Sequence, residues 1–312
     1  MAFSFKSSDT SVEDGVVRIA VDQIDTALDE IRNPALSAAE RVHQIRKRCK
    51  KVRGVARLVR PGLDDYAEIN RRFRDIARSV SDMRDNGALL EIFDGLIDSA
   101  ETGIPQEAQA PVRDWLVAQC EGALQKDAES RLVHTERQLQ EARAAVATWS
   151  LDEPGLKSAM AGMAKTYRRA RRKFSELGRD GDTEAFHEWR KHVKYHWYHA
   201  RLCKRIAPDI MGIRISQLDQ FAKWLGEHHD LYALQMCLAE APEVIASAPA
   251  FGRIQEAIER RRRALEIAAL SAGEQLFADK PKTIARRWRN DWIDWRAEPV
   301  LDRAGDQTDT AT

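Results

Sequence analysis

The pattern H-x-x-R-K-x-x-K-x(6)-R occurs twice in this chain, at His43, Arg46, Lys47, Lys50 and Arg57, and at His187, Arg190, Lys191, Lys194 and Arg201. A helix turns about 100° per residue, so the histidine, both lysines and the last arginine of each copy fall within about 80° of one face. The remaining positions supply the opposite character. Ile45, Cys49, Val52, Val55, Ala56 and Val59 form one apolar stripe, and Trp189, Val193, His196, Ala200 and Cys203 form the other. A strand would send alternate members of these sets to opposite faces. A helix gathers cations on one side and core on the other, which is the pattern a bundle needs.

Almost all of the remaining sequence reads as helix, and 16 Gly and 10 Pro in 312 residues disfavour a turn-rich β fold. A first helix follows Ser11 and stops at Asn33-Pro34. A second starts at Ser37, where Ser37 and Glu40 have capping-box spacing, and ends at Arg60-Pro61-Gly62. Further helices are expected over about 64–83, 86–100 and, as one long rod, 107–148. Beyond the turn chemistry at 150–155, helices are expected over 154–177, 183–206, 208–238 and 248–278. Residues 281–296 carry Trp288, Trp292 and Trp295 at helical spacing and predict an amphipathic docking helix, either on the chain's own core or on another protein. The polar tail 297–312 is expected to be disordered.

A second block repeats at nearly the same offset. Ile76 to Asp85, with Arg78, Arg84 and Asp85, aligns with Phe221 to Asp230, with Lys223, His229 and Asp230. Two blocks at one spacing predict an internal duplication, with one helical bundle over 12–150 and a second over 151–296. The expected fold class is all-α, two pseudo-twofold-related bundles of four-helix type.

With 50 Lys plus Arg against 49 Asp plus Glu, net charge is only +1, so function has to be read from where the charge sits. Residues 41–60 carry nine basic side chains and no acid, residues 165–173 carry six and no acid, and 260–263 are four arginines. The arginine run points all around a helix and can pair with Glu256, Glu259 or Glu266. Cys49, Cys120, Cys203 and Cys237 lack CxxC spacing and are expected to be reduced structural thiols of a cytoplasmic protein. No secretory signal and no membrane span is expected.

Arg, Lys and His are the donors that hold phosphate oxygens, at about 1.5–3 kcal/mol for each charged hydrogen bond. From His43 to Arg60 a helix advances about 25 Å, longer than a nucleotide's phosphates need. Two such tracks brought together would line a basic groove, with Arg78, Arg84, Lys223 and His229 from neighbouring helices and Tyr167, Arg168, Arg171 and Arg172 as an extension. A single basic helix face is ordinarily just solvated, and it is the repetition in register that argues for a ligand. The histidines His192, His196 and His199 have spacing compatible with zinc, yet the run from His187 to His192 has one residue too many for HExxH, and His196 falls on the apolar side. No metal or cofactor is expected. Asp85 and Asp230 read as orienting acids. No phosphate-binding glycine loop, GxSxG elbow or paired-carboxylate motif is present, and no catalysis is expected.

On these residues the chain resembles the CHAD domain, the conserved histidine α-helical domain, over about residues 12–296. The resemblance implies two four-helix bundles around a basic central surface, binding of inorganic polyphosphate, and association with polyphosphate granules and their proteins. Many relatives carry a fused triphosphate-hydrolase domain marked by ExExK, which this sequence lacks. Lys51 and Arg53 of the first copy are matched by Tyr195 and Trp197, so the second surface is expected to be the less charged.

Nucleic acid is the alternative ligand, because its backbone attracts the same side chains. Single-strand readers stack bases on exposed aromatics, and Tyr198 is the aromatic expected on the basic face, which favours a ligand without bases. A polyphosphate hydrolase or kinase is the third possibility. Affinity for a polyanion is expected to fall with salt and to rise as pH drops through about 6.5, where histidines ordinarily gain charge.

Overall fold

A computed structural model describes residues 3–81, 85–98, 103–123, 128–152, 154–177 and 183–297. The side chains of 85–88, 120–123 and 128 lie outside that description, and so do Arg84, the 178–182 turn and the 298–312 tail. The described chain is all-α, with helices α1 (Val12–Arg32), α2 (Ala38–Val59), α3 (Tyr66–Arg78), α4 (Asp85–Asp98), α5 (Gln106–Ala123), α6 (Ala128–Val146), α7 (Gly155–Leu177), α8 (Thr183–Leu202), α9 (Pro208–Ala239), α10 (Glu243–Ala246), α11 (Phe251–Leu276) and α12 (Pro281–Ala297).

Local chemistry sets the ends that matter here. Ser11 caps α1 by accepting from the Asp14 backbone N–H, with Glu13 and Asp14 in the first turn. Ser37 and Glu40 close a capping box at the start of α2, as their spacing predicts. The helix expected to reach Ile206 ends instead at Leu202. Pro208 holds Ala207 extended at φ −157°, so a 3₁₀ turn, Lys204–Ile206, absorbs the remainder. Of the rod expected over 107–148, the described parts are α5 and α6, and residues 124–127 between them lie outside the described residues; α5 packs on α4 and α10, α6 on α1 and α3. The expected third helix is shorter, ending at Arg78, and the Arg-rich helix starts at Phe251 after the short α10.

Burial follows the apolar stripes. Ile45, Cys49, Val52, Val55, Ala56 and Val59 are all buried on α2, as are Trp189, Val193, His196 and Ala200 on α8, with Cys203 just beyond its end. One apolar cluster joins α1, α2, α7, α8, the first half of α9 and α12. A second joins Phe93 and Leu96 of α4 and Val112 and Leu116 of α5 to Leu231, Leu234 and Leu238 of α9 and Ile254 and Ile258 of α11. Each cluster thus draws on both halves of the sequence. The 150–155 segment is tied down, with Leu63 and Leu151 forming a β-bridge and the Asp152 N–H donating to the Gly62 carbonyl at 2.9 Å. Cys49, Cys203 and Cys237 are free thiols, and burial pushes Cys49 and Cys203 up to about 12. No helix among the described residues is long and apolar enough to cross a membrane.

Candidate anion-binding surface

The two basic stripes meet face to face. Gly54 sits on α2 between Lys50 and Arg57, in the middle of the cationic face, and Tyr198 holds the corresponding place on α8. A Cβ at Gly54 would stand 3.1 Å from Tyr198 Cβ, so the helices cross at this point with little room to spare. The Gly54 carbonyl also lies 3.2 Å from His199 Nε2. The C-terminal halves of the stripes are therefore packed against each other and do not line an open groove: Lys51, Arg57 and Tyr198 are buried, and Arg201 is half-buried. The N-terminal halves stay accessible. His43, Lys50 and Lys191 are exposed, and Arg46, Lys47, His187, Arg190 and Lys194 are half-buried.

Aromatic rings separate the cations at the crossing. Arg57 stacks on Tyr195 with its guanidinium carbon 4.0 Å from the ring centre, and Arg53 is 5.9 Å from the same ring. Lys194 Nζ stands 3.9 Å from the Trp197 ring, and Arg201 lies 4.8 Å from it. Phe3, from the N-terminal segment, takes Lys51 at 5.2 Å and Arg201 at 5.7 Å. Each contact is worth about 0.5–2 kcal/mol. By sequence, Tyr195 and Trp197 stand where the first copy has Lys51 and Arg53, a loss of charge from the second surface. They are the rings on which the charges of both stripes rest. Tyr198, expected on the open basic face, is buried because Gly54 lies directly over it.

Burial and like charge depress these bases. Desolvation, with Arg48, Arg201 and Lys47 nearby, lowers Lys51 to about 7, against a smaller opposing pull from Glu30. Lys194 is lowered to about 8 by desolvation, against Asp219, with Arg190, Arg201 and Lys223 adding to the push. The histidines go the same way: desolvation holds His192 and His229 at about 4 and His199 at about 3. His187 Nδ1 and His229 Nδ1 face each other at 3.0 Å, and His187 is also shifted down, first by desolvation. His192, His199 and His229 are neutral in the free protein at pH 6.5. The expected response to histidine protonation there is corrected for them, because they lie too deep to hold charge without a counter-ion.

Polar partners orient several members. Arg46 donates to the Ser81 carbonyl at 3.1 Å, Lys47 to Gln44 at 3.1 Å and Arg53 to the Asn70 side chain at 3.0 Å. Lys191 pairs with Glu188 and Lys223 with Asp219 on their own helices. Arg78 is exposed on α3. Tyr167 is corrected to a core residue: it is wholly buried and its hydroxyl donates toward the Asp279 and Leu276 carbonyls, at 3.1 and 3.3 Å. Arg171 donates to the carbonyl of Phe277, just past the end of α11, at 3.0 Å, while Arg168 is exposed on the face shared with Lys165 and Arg169. Arg262 of the arginine run donates to Gln235, and Arg261 pairs with Glu227. His196 accepts from Arg214 and stacks on Trp288, a core histidine as its face predicts. Among the described residues no group of three or more His, Cys, Asp or Glu is placed to hold a metal ion.

The fold and this surface define an all-α protein whose cationic helix faces are pressed together. Comparison with known families places it. A model of the CHAD domain matches residues 16–239, most of the chain, and the chain belongs to that family. Among solved structures it is similar to the crystal structure of the CHAD domain from the plant Ricinus communis, with TM-score 0.55 and 15% identity over 89% of this chain and 96% of that one. No curated protein matches it significantly.

Proposed function

We propose that this chain binds inorganic polyphosphate without turning it over, at the α2–α8 face, and that it does so at polyphosphate granules beside other granule proteins. The observation that carries the reading is the crowding of like charge where the stripes meet. Lys51 is pressed by Arg201 across the crossing as well as by Lys47 and Arg48, and Lys194 by Arg190, Arg201 and Lys223. A polyanion laid over His43, Arg46, Lys47, Lys50, His187, Arg190, Lys191 and Lys194 relieves that repulsion. Its length suits two helix faces diverging from one point, with His43 and His187 each about 16 Å along their helices from the crossing. The available rings argue against bases, since Tyr195 and Trp197 are already covered by cations.

The internal duplication is part of the same proposal. Contacts at the crossing are reciprocal in the repeat register: Gly54 meets Tyr198, and Arg57 meets Tyr195 while Arg201 presses on Lys51. Such an exchange is what a pseudo-twofold axis through the crossing produces.

A binding titration against polyphosphates of defined length, with single-stranded RNA as competitor, tests the reading. Charge reversal of Lys47, Lys50, Lys191 and Lys194 together is expected to weaken binding by more than about 100-fold, with helix content by circular dichroism unchanged. RNA displacing polyphosphate at equal phosphate concentration would make nucleic acid the ligand. Phosphate release in the presence of Mg²⁺ or Mn²⁺ would make the protein an enzyme.

A further inference from the structure

A second group of cations gathers where the C-terminal turn of α2 meets α7 and α8. Gly162 of α7 lies directly against that turn: a Cβ there would stand 1.8 Å from the Leu58 carbonyl oxygen. The contact sets Lys165 and Arg169, further along the same face of α7, beside Arg60 at the end of α2. Arg169 and Arg57 are the like charges pressing on Arg60, and Arg60, Arg169 and Arg168 press on Lys165. From α8, His192 faces Arg57 and Arg169.

Arg57 and Arg60 are each only 8% exposed. The Nε atoms of both, Nη2 of Arg60 and Nδ1 of His192 are buried without a hydrogen-bond partner. Arg57 is held in place by Tyr195, by Tyr66 at 6.0 Å and by a 3.4 Å bond to Asn70, and Arg60 has a hydrogen bond with the Tyr66 hydroxyl; none of these partners carries a neutralising charge while the phenols stay protonated. Glu188 is the acid that acts on His192, and it pairs with Lys191; Glu176 pairs with Arg172 and Lys173. The C-terminus of α2 contributes about half a negative charge, which does not balance three arginines and a lysine. Burying a guanidinium without a counter-charge is costly, and two such groups side by side with unpartnered N–H groups, beside Arg169 and Lys165, make a place for an anion.

We propose that this cluster is a second binding site, taking a single tetrahedral oxyanion of the phosphate type. Arg57 and Arg60 form its buried floor, Arg169 and His192 its walls, and Lys165 and Arg168 its exposed rim. Arginine forks match the edges of a phosphate, and His192, close enough to feel Arg57 and Arg169, brings a ring nitrogen without a partner of its own. Arg57 borders both this site and the α2–α8 face. Arg168 also stands among the residues expected to extend the polyphosphate groove; Arg60, Arg169, His192 and Lys165 belong to this site alone, so it stands whether or not polyphosphate occupies that face. The phosphate group can be free or the end of a polyphosphate chain.

Thermal unfolding and calorimetric titration of the full chain test this, using orthophosphate or tripolyphosphate with ionic strength matched by chloride. Either anion is expected to raise the midpoint of the unaltered protein, and the one with the larger effect names the source. Arg60→Met is expected to raise stability in buffer alone, by removing an unpaired buried charge, and to weaken anion binding at least ~10-fold. Lys165→Gln with Arg169→Gln, both at partly open positions, is expected to lose the anion-dependent shift as well. Lys47→Ala with Lys191→Ala is expected to weaken long-chain binding and keep the orthophosphate shift, which separates this site from the stripes. The absence of a shift with both anions, or an equal shift in the unaltered protein and the Arg60 and Lys165/Arg169 variants, overturns the site.

Discussion

Gly162 has no side chain because the Leu58 carbonyl oxygen occupies the place one would fill. Nothing in the residues around it marks this glycine; it sits in a helix where alanine would be the better former, and only the approach of α7 to α2 explains it. Gly162→Ala has to separate the two helices and is expected to cost about 3 kcal/mol or more, read as a lower urea midpoint with unchanged slope. Gly54→Ala is milder, since a Cβ at 3.1 Å from Tyr198 asks only for a small shift. The same distinction applies to the cations. His43, Arg46, Lys47 and Lys50 were legible as a face because helical spacing alone collects them. Arg60, Lys165, Arg169 and His192 were not, because they come from three helices whose meeting depends on a glycine contact.

At the scale of elements, α12 shows how far amphipathic spacing can be trusted. Trp288, Trp292 and Trp295 were readable as one apolar edge, and all three are buried, Trp288 at 2% exposure against the ring of His196. The choice between docking on the chain's own core and on another protein was open from spacing and is answered by packing. Arg296 adds a tie by donating to the Ser7 and Asp9 carbonyls, which fastens the C-terminal helix to the N-terminal segment. Trp288→Ala is expected to cost about 3–5 kcal/mol in chemical denaturation, because the cavity opens where α12, α7 and α8 converge. Element boundaries were less legible. The stripe helix expected to run to Ile206 stops at Leu202, and within the stretch expected as one rod over 107–148 the described parts α5 and α6 serve different apolar clusters, as the two halves of α9 do; helical periodicity does not report which cluster a residue will join.

For the whole molecule, the crowded cations couple stability to pH. Lys51 at about 7 and Lys194 at about 8 lie well below an ordinary lysine, so between about pH 7 and 10 the unfolded chain binds more protons than the folded one. Stability therefore rises with pH through that window. Polyphosphate binding has the opposite sign, since the polyanion favours the charged form of Lys194, and affinity is expected to fall as pH rises through about 8. Urea midpoints at pH 7 and 9 check the first expectation; Lys51→Met should flatten the difference. The depressed histidines act lower down. His192, His229 and His199 stay neutral when folded while the unfolded chain takes up protons below about 6.5, so their contribution is lost as pH falls from there.

The all-α class, the two cationic faces, their apolar backs and the capped start of α2 follow from local spacing, because a helix's period and its first-turn hydrogen bonds are decided within a few residues. Where those faces go was decided by tertiary packing. Helical spacing describes one helix at a time, so it could not tell that Gly54 and Tyr198 would bring the stripes together. It could not tell that Tyr195 and Trp197 would support the charges they seemed to replace, or that α7 would press its own cations onto the end of α2. Burial, and with it the shifted lysines and histidines, belongs to the contacts between helices.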